Sequence, residues 1–207
     1  FLKKFKWLDF NKISKELNIS KHKFIILTIH PETNEDKNYN LKLIKHTLKS
    51  VKDYTGKVII TSPNGDIFNN IILKEYDKFY KLNRNKEKFI FRKHLGHELY
   101  FNLLKNCNYL IGNSSSGIIE AASFKIPVVN IGKRQNNRDC GKNVIHCKAE
   151  LKDIKIAMKK AEQLFYSKSL KKLKNIYYKG NSSIQFLKFL DQNKIVIKPK
   201  FFLDIKF

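Results

Sequence analysis

Short apolar runs alternate with longer amphipathic stretches along most of this chain. Phe24 to Ile29 is apolar apart from Thr28, the pattern of a strand covered on both faces. Leu41, Ile44, Leu48 and Val51 then recur at helical spacing and stop near Gly56. Lys57 to Thr61 predicts a second strand, ended by Ser62-Pro63-Asn64-Gly65. Ile67, Ile71, Ile72 and Tyr76 predict a second helix, and Lys88 to Phe91 a third strand. The order repeats with a helix over 98–105, a strand over 109–111, a helix over 116–124 and a strand over 127–131. A short strand near Val144-Ile145 and a helix from about 153 to 165 close the series. This alternation predicts an α/β fold, a doubly wound Rossmann-like parallel sheet with helices on both faces.

The pattern divides the chain into a leading segment at 1–22, a Rossmann-like domain at 23–166, and C-terminal helices with a tail at 167–207. Within the last part, helical patterns over 170–177 and 184–190 precede apolar runs at 195–199 and 201–205. The chain opens on Phe1 rather than Met, so a piece of a longer protein is the expectation.

At 42% hydrophobic, the 207 residues can fill a core. The apolar runs are far shorter than the roughly 20 residues of a membrane-spanning helix, so no membrane partner is expected. Phe1-Leu2-Lys3-Lys4 places charge where a secretion signal needs an apolar stretch. Cys107, Cys140 and Cys147 show no paired spacing, which fits a reducing, cytoplasmic compartment without disulfides. The formal charge of +24 raises the possibility of a basic nucleic-acid-binding module. Of the 42 basic residues only Arg84, Arg92, Arg134 and Arg138 are Arg, and the Lys residues are spread evenly. Base readout favours Arg forks, so specific nucleic-acid binding is disfavoured.

Ligands of doubly wound sheets sit beyond the C-terminal strand ends, and three loops lie there. Gly112-Asn113-Ser114-Ser115-Ser116-Gly117 joins a strand to a helix. Its small residues let an anion approach backbone N–H groups, although a Ser cap on an ordinary helix explains the same run. It is neither a Walker loop nor a nucleophile elbow. Glu120, one turn after Ser116, suits ribose hydroxyls or a solvated helix face equally. Gly132 to Asn143 holds Arg134 and Arg138, half of all the Arg, and a guanidinium grips phosphate in a way Lys does not. His30-Pro31-Glu32-Thr33 delivers an imidazole to the same end of the sheet. His94 and His97 precede a helix near it, whereas His22, His46 and His146 read as structural or merely exposed.

The runs Ile111 to Glu120, Pro127 to Gly132, Arg134-Gln135, Arg138 and Asn143-Val144-Ile145 resemble the hydrolysing UDP-N-acetylglucosamine 2-epimerases. His30 to Thr33 and Pro63-Asn64 match the branch that makes sialic-acid and legionaminic-acid precursors, and Phe201 to Asp204 is similar to the end of relatives acting on a diacetylated bacillosamine nucleotide. The resemblance implies a GT-B-type two-domain enzyme with this chain as its C-terminal, nucleotide-binding half and residues 1–22 as a remnant of the interdomain region. It implies a missing N-terminal domain carrying most of the acid and base carboxylates, and a homo-oligomer when full length. Ser114 and Ser115 match the diphosphate positions, Glu120 the ribose carboxylate, and Arg134 and His97 further nucleotide contacts. His30 matches a His reaching the diphosphate and sugar, the candidate catalytic residue. The implied reaction eliminates UDP or GDP from a 2-acetamido sugar and adds water to give the free 2-epimer, with no metal or redox cofactor. Glu32 stands where many relatives carry an apolar residue. A glycosyltransferase of the same fold, acting on a nucleotide sugar, shares the phosphate loop and the ribose carboxylate.

Overall fold

The computed structural model describes residues 5–83 and 87–193. Six parallel strands form one sheet: β1 (Phe24–Thr28), β2 (Lys57–Thr61), β3 (Phe89–Arg92), β4 (Leu110–Gly112), β5 (Val128–Ile131) and β6 (Val144–Cys147). Their order is β3-β2-β1-β4-β5-β6, the doubly wound order, so the topology reverses between β1 and β4. Thr28 pairs with Gly112 at the C-terminal end of that junction.

Alternation along the buried strands feeds two cores. Ile25, Leu27, Val58, Ile60, Ile111 and Val129 face one side, where α2 (Lys37–Val51), α3 (Asn69–Leu82) and α6 (Leu151–Tyr166) cover them. Phe24, Ile26, Ile59, Leu110 and Val128 face the other, under α1 (Phe10–Leu17), α4 (Gly96–Asn106) and the segment after β4. Complete burial of a Leu, Ile or Phe stabilises by about 1.5–3 kcal/mol, which is why the strands read as unbroken apolar runs.

Two helical expectations differ from the structure, and one helix is new. The leading segment forms α1, capped by Asp9 and closed by Asn18 in the left-handed region, with Ile13 and Leu17 buried in the second core. The helix expected over 116–124 is instead α5 (Ser115–Ile119) followed by a 3₁₀ turn over Ala121–Phe124. Asn175 explains the break. Its amide donates to the Ile119 carbonyl at 2.7 Å, the group a continued α-helix would offer to the Ser123 N–H. Ser123 bonds the Glu120 carbonyl instead, the tighter 3₁₀ pattern.

The expected helix over 170–177 is a 3₁₀ turn at Lys168–Lys172 followed by irregular chain and a turn at 176–177, and Asn175 is committed to the contact just described. Residues up to Ile176 belong to the compact sheet unit, and a second unit begins at Tyr177. In that second unit α7 (Ser182–Gln192) exposes Ile184, Phe186, Leu187 and Phe189. The apolar runs read at 195–199 and 201–205 lie outside the described residues.

Candidate functional site

The chain turns sharply out of β4 because residue 112 is Gly. Its φ is +140°, and a Cβ would stand 1.8 Å from the Thr28 carbonyl oxygen. That close approach drops Asn113 beneath the neighbouring loop. Asn113 is wholly buried. Its Oδ1 accepts the His30 N–H at 2.7 Å, and its Nδ2 donates to the His30 carbonyl at 2.8 Å. The Asn113 carbonyl in turn accepts from Gln135 Nε2 at 2.8 Å. One residue thus ties together the three loops singled out in the sequence.

A hollow of about 360 Å³ opens above this knot. His30, His97, Ser114, Ser115 and Glu120 all line it, as do His94 and Tyr100. Ser114 caps α5, its hydroxyl accepting the Ser116 N–H at 3.4 Å, so the ordinary capping role is realised there. Ser116 pairs its hydroxyl with that of Tyr100 at 2.6 Å. Glu120 ends the short helix rather than lying within a long one, and its charge reaches the Tyr100 hydroxyl, whose pKa burial raises. The His97 ring stacks on Phe101, centroids 5.9 Å apart, which fixes its plane at the rim.

Arg134 does not line this hollow. It lies in a second one of about 520 Å³, with Glu32, Asp66, Lys133 and Arg138, and pairs with Asp66 at 3.5 Å. His30 connects the two. Its Nδ1 accepts the Asn64 N–H at 3.0 Å, so the neutral ring carries its proton on Nε2. Asn64 donates its amide to Asp66 at 2.5 Å. Burial, then the Arg134 charge, pushes the His30 pKa down to about 4, with Asp66 opposing. His30 is therefore a neutral hydrogen-bonding group at pH 7, able to donate from Nε2.

Asp66, Asn113 and Tyr100 belong to this site and were not among the sequence candidates. A polar residue directly after a fully buried strand, as Asn113 is, was the one available signal, because buried amides need partners. Of the histidines read as structural, His46 bonds the Ala149 carbonyl at 2.9 Å, and His146 lies 3.4 Å from Cys140 Sγ. The cysteines are free. Among the described residues, no three His, Cys, Asp or Glu side chains are grouped to hold a metal, and no helix is long and apolar enough to cross a membrane.

Comparison with known proteins gives the geometry its context. The family model of UDP-N-acetylglucosamine 2-epimerase matches residues 4–191. The chain belongs to that family. It is 35% identical over 148 residues to the GDP/UDP-N,N'-diacetylbacillosamine 2-epimerase (hydrolyzing) of Campylobacter jejuni, covering 71% of this chain and 37% of that protein. It is 36% identical over 104 residues to the UDP-N-acetylglucosamine 2-epimerase of Neisseria meningitidis, covering 50% and 26%. Among solved structures, the Methanocaldococcus jannaschii UDP-GlcNAc 2-epimerase in complex with UDP-GlcNAc and UDP superposes with a TM-score of 0.65 at 17% identity. That match covers 88% of this chain and 49% of the other, and it establishes the shared fold. The epimerase-family chain thus spans half or less of the length of these relatives.

Proposed function

We propose that this chain is the nucleotide-binding half of a hydrolysing 2-epimerase acting on a UDP- or GDP-linked 2-acetamido sugar. The observation that carries the reading is the convergence of His30, His97, Ser114, Ser115 and Glu120 on one hollow at the switch point of the sheet. The diphosphate rests against Ser114 and Ser115, and Glu120 accepts from ribose hydroxyls, since a second anion so close to phosphate would repel it. Arg134 joins the diphosphate by leaving Asp66. The pair is half-buried and, at 3.5 Å, at the outer limit of a hydrogen bond, and a phosphate offers the stronger two-pronged contact.

In the reaction, a base takes the C2 proton while the C1–O bond breaks and its electrons leave with the nucleoside diphosphate. Water then adds across the resulting double bond, hydroxyl to C1 and proton to the opposite face of C2. His30, neutral and holding a proton on Nε2, stabilises the departing diphosphate by hydrogen bonding. The base for C2 comes from a domain beyond this chain, so the chain alone binds nucleotide without turnover.

Calorimetry with UDP and GDP tests the reading. Ser115→Ala should weaken binding by about 1.5–3 kcal/mol, the worth of a hydrogen bond to a charged group. Glu120→Gln should weaken UDP but leave inorganic pyrophosphate unaffected. Unchanged UDP affinity in both variants, or equal losses of UDP and pyrophosphate in Glu120→Gln, would overturn it. The hydrolysing assignment needs product analysis of the enzyme carrying both domains: free 2-epimeric sugar supports it, and a nucleotide-linked epimer refutes it.

A further inference from the structure

The second hollow holds a buried carboxylate that the chemistry above does not use. Glu32 is 4% exposed, and a carboxylate kept from water needs donors around it. Both of its oxygens accept the Lys133 N–H, at 3.0 and 3.1 Å. The Lys133 ammonium turns away to Glu35, at 2.8 Å, so Glu32 meets the loop's backbone and not its nearest cation. The Tyr39 hydroxyl also faces Glu32. Burial raises the Glu32 pKa, while the Lys133 and Arg134 N–H groups and the Asn113 amide pull it back.

Both ends of this contact are fixed. Asn40 of α2 accepts the Glu32 N–H at 2.8 Å and donates to the Glu32 carbonyl at 3.1 Å. On the other side Gly132 has φ +80°, and a Cβ there would stand 2.0 Å from Glu32 Oε1. The loop therefore comes against the carboxylate as closely as backbone permits, and the next residues along it are Lys133 and Arg134.

We propose that Glu32 is a positioning residue: its carboxylate clamps the Gly132–Arg134 turn and so sets where the Arg134 guanidinium stands beside His30. This rests on the reading of Arg134 as a diphosphate contact. A side chain chosen only to fill the space would be apolar and would leave the Lys133 N–H without its acceptor. The clamp also joins the residue two places after His30 to the residue just before Arg134, so the two groups move as one unit.

A double-mutant cycle separates positioning from general stabilisation. UDP affinity is measured calorimetrically for the wild type, Glu32→Gln, Arg134→Ala and the double variant, with melting temperatures recorded. Gln keeps the volume but removes the charge and replaces one of the two oxygens that accept the Lys133 N–H with an NH2 group, which weakens the clamp. Arg134→Ala and Glu32→Gln should each weaken UDP by roughly tenfold or more, the scale of a charged hydrogen bond. The double variant should bind no more weakly than Arg134→Ala alone. If the two losses multiply, or if Glu32→Gln binds like the wild type while Arg134→Ala does not, the positioning role is overturned and the nucleotide site stands. If Arg134→Ala itself binds UDP normally, the Arg134 contact fails and the inference falls with it. Should Glu32→Gln not fold, Glu32→Asp runs the same cycle, because it retains the charge but withdraws the acceptor from the turn.

Discussion

Replacing Asn113 by Ala removes a side chain that joins the His30 loop to the loop after β4. The backbone bonds of residue 113, to Thr28 and from Gln135, survive the change. What is lost is the pair of bonds at 2.7 and 2.8 Å to the His30 N–H and carbonyl, together with the amide's interaction with Glu32. Each buried group left unmet costs about 1–3 kcal/mol, which gives about 2–6 kcal/mol for the pair. His30 borders an open hollow, where water can satisfy part of the loss, so the lower half of that range is expected. That is a large share of the 5–15 kcal/mol by which whole domains are stable. Asn113→Asp is a sharper probe. It keeps the acceptor for the His30 N–H but opposes an oxygen to the His30 carbonyl and brings a negative charge toward Glu32, so it should be at least as damaging as Ala. Urea unfolding of the three proteins, compared at equal slope, measures the loss, and calorimetry with UDP reports the site. A loss under about 1 kcal/mol in both variants, with UDP affinity intact, refutes the claim that this amide holds the loops together.

Two further outcomes follow from the same geometry. Gly112→Ala combines a left-handed φ with a Cβ 1.8 Å from the Thr28 oxygen, so it should lose about 4 kcal/mol or more, or fail to fold; a wild-type melting curve would disprove the close approach. His30 is depressed to about pKa 4 in the fold against the ordinary 6.5. Between those values the unfolded chain binds a proton that the folded chain does not, so its contribution to stability is complete above pH 6.5 and declines as pH falls toward 4. His30→Gln should flatten that decline in urea titrations at pH 7 and pH 5, and an unaltered slope would count against the shift.

Much of the sheet was legible because its strands are covered on both faces, as the run Phe24 to Leu27, wholly buried, shows. The loops carrying His30, Ser114 and Arg134 were legible for a related reason: strand-to-helix turns at one end of a parallel sheet need unusual residues. Other features depend on partners distant in sequence. The end of α5 is decided by Asn175, 56 residues past the carbonyl it takes. The pairing of Arg134 with Asp66 spans 68 residues, and no spacing rule within either loop announces it. α1 was within reach, since Asp9 and Asn18 are good capping residues, but Ile13 and Leu17 are diluted by Lys and Asn around them.

The winding of the sheet also has a consequence in time. β1 joins β4 only after β2 and β3 have been laid down between them in sequence, and the Asn113–His30 tie closes a loop of 83 residues. Such a contact is entropically expensive and belongs to the late stages of folding. On a ribosome the first three strands emerge with His30 already in place but with no partner loop to make it a site. The proposed nucleotide site is therefore a property of the finished winding rather than of any segment. A ligand seated there would bridge loops far apart in sequence, and to the extent that these contacts form after the folding transition state its benefit falls on the rate of unfolding more than on the rate of folding.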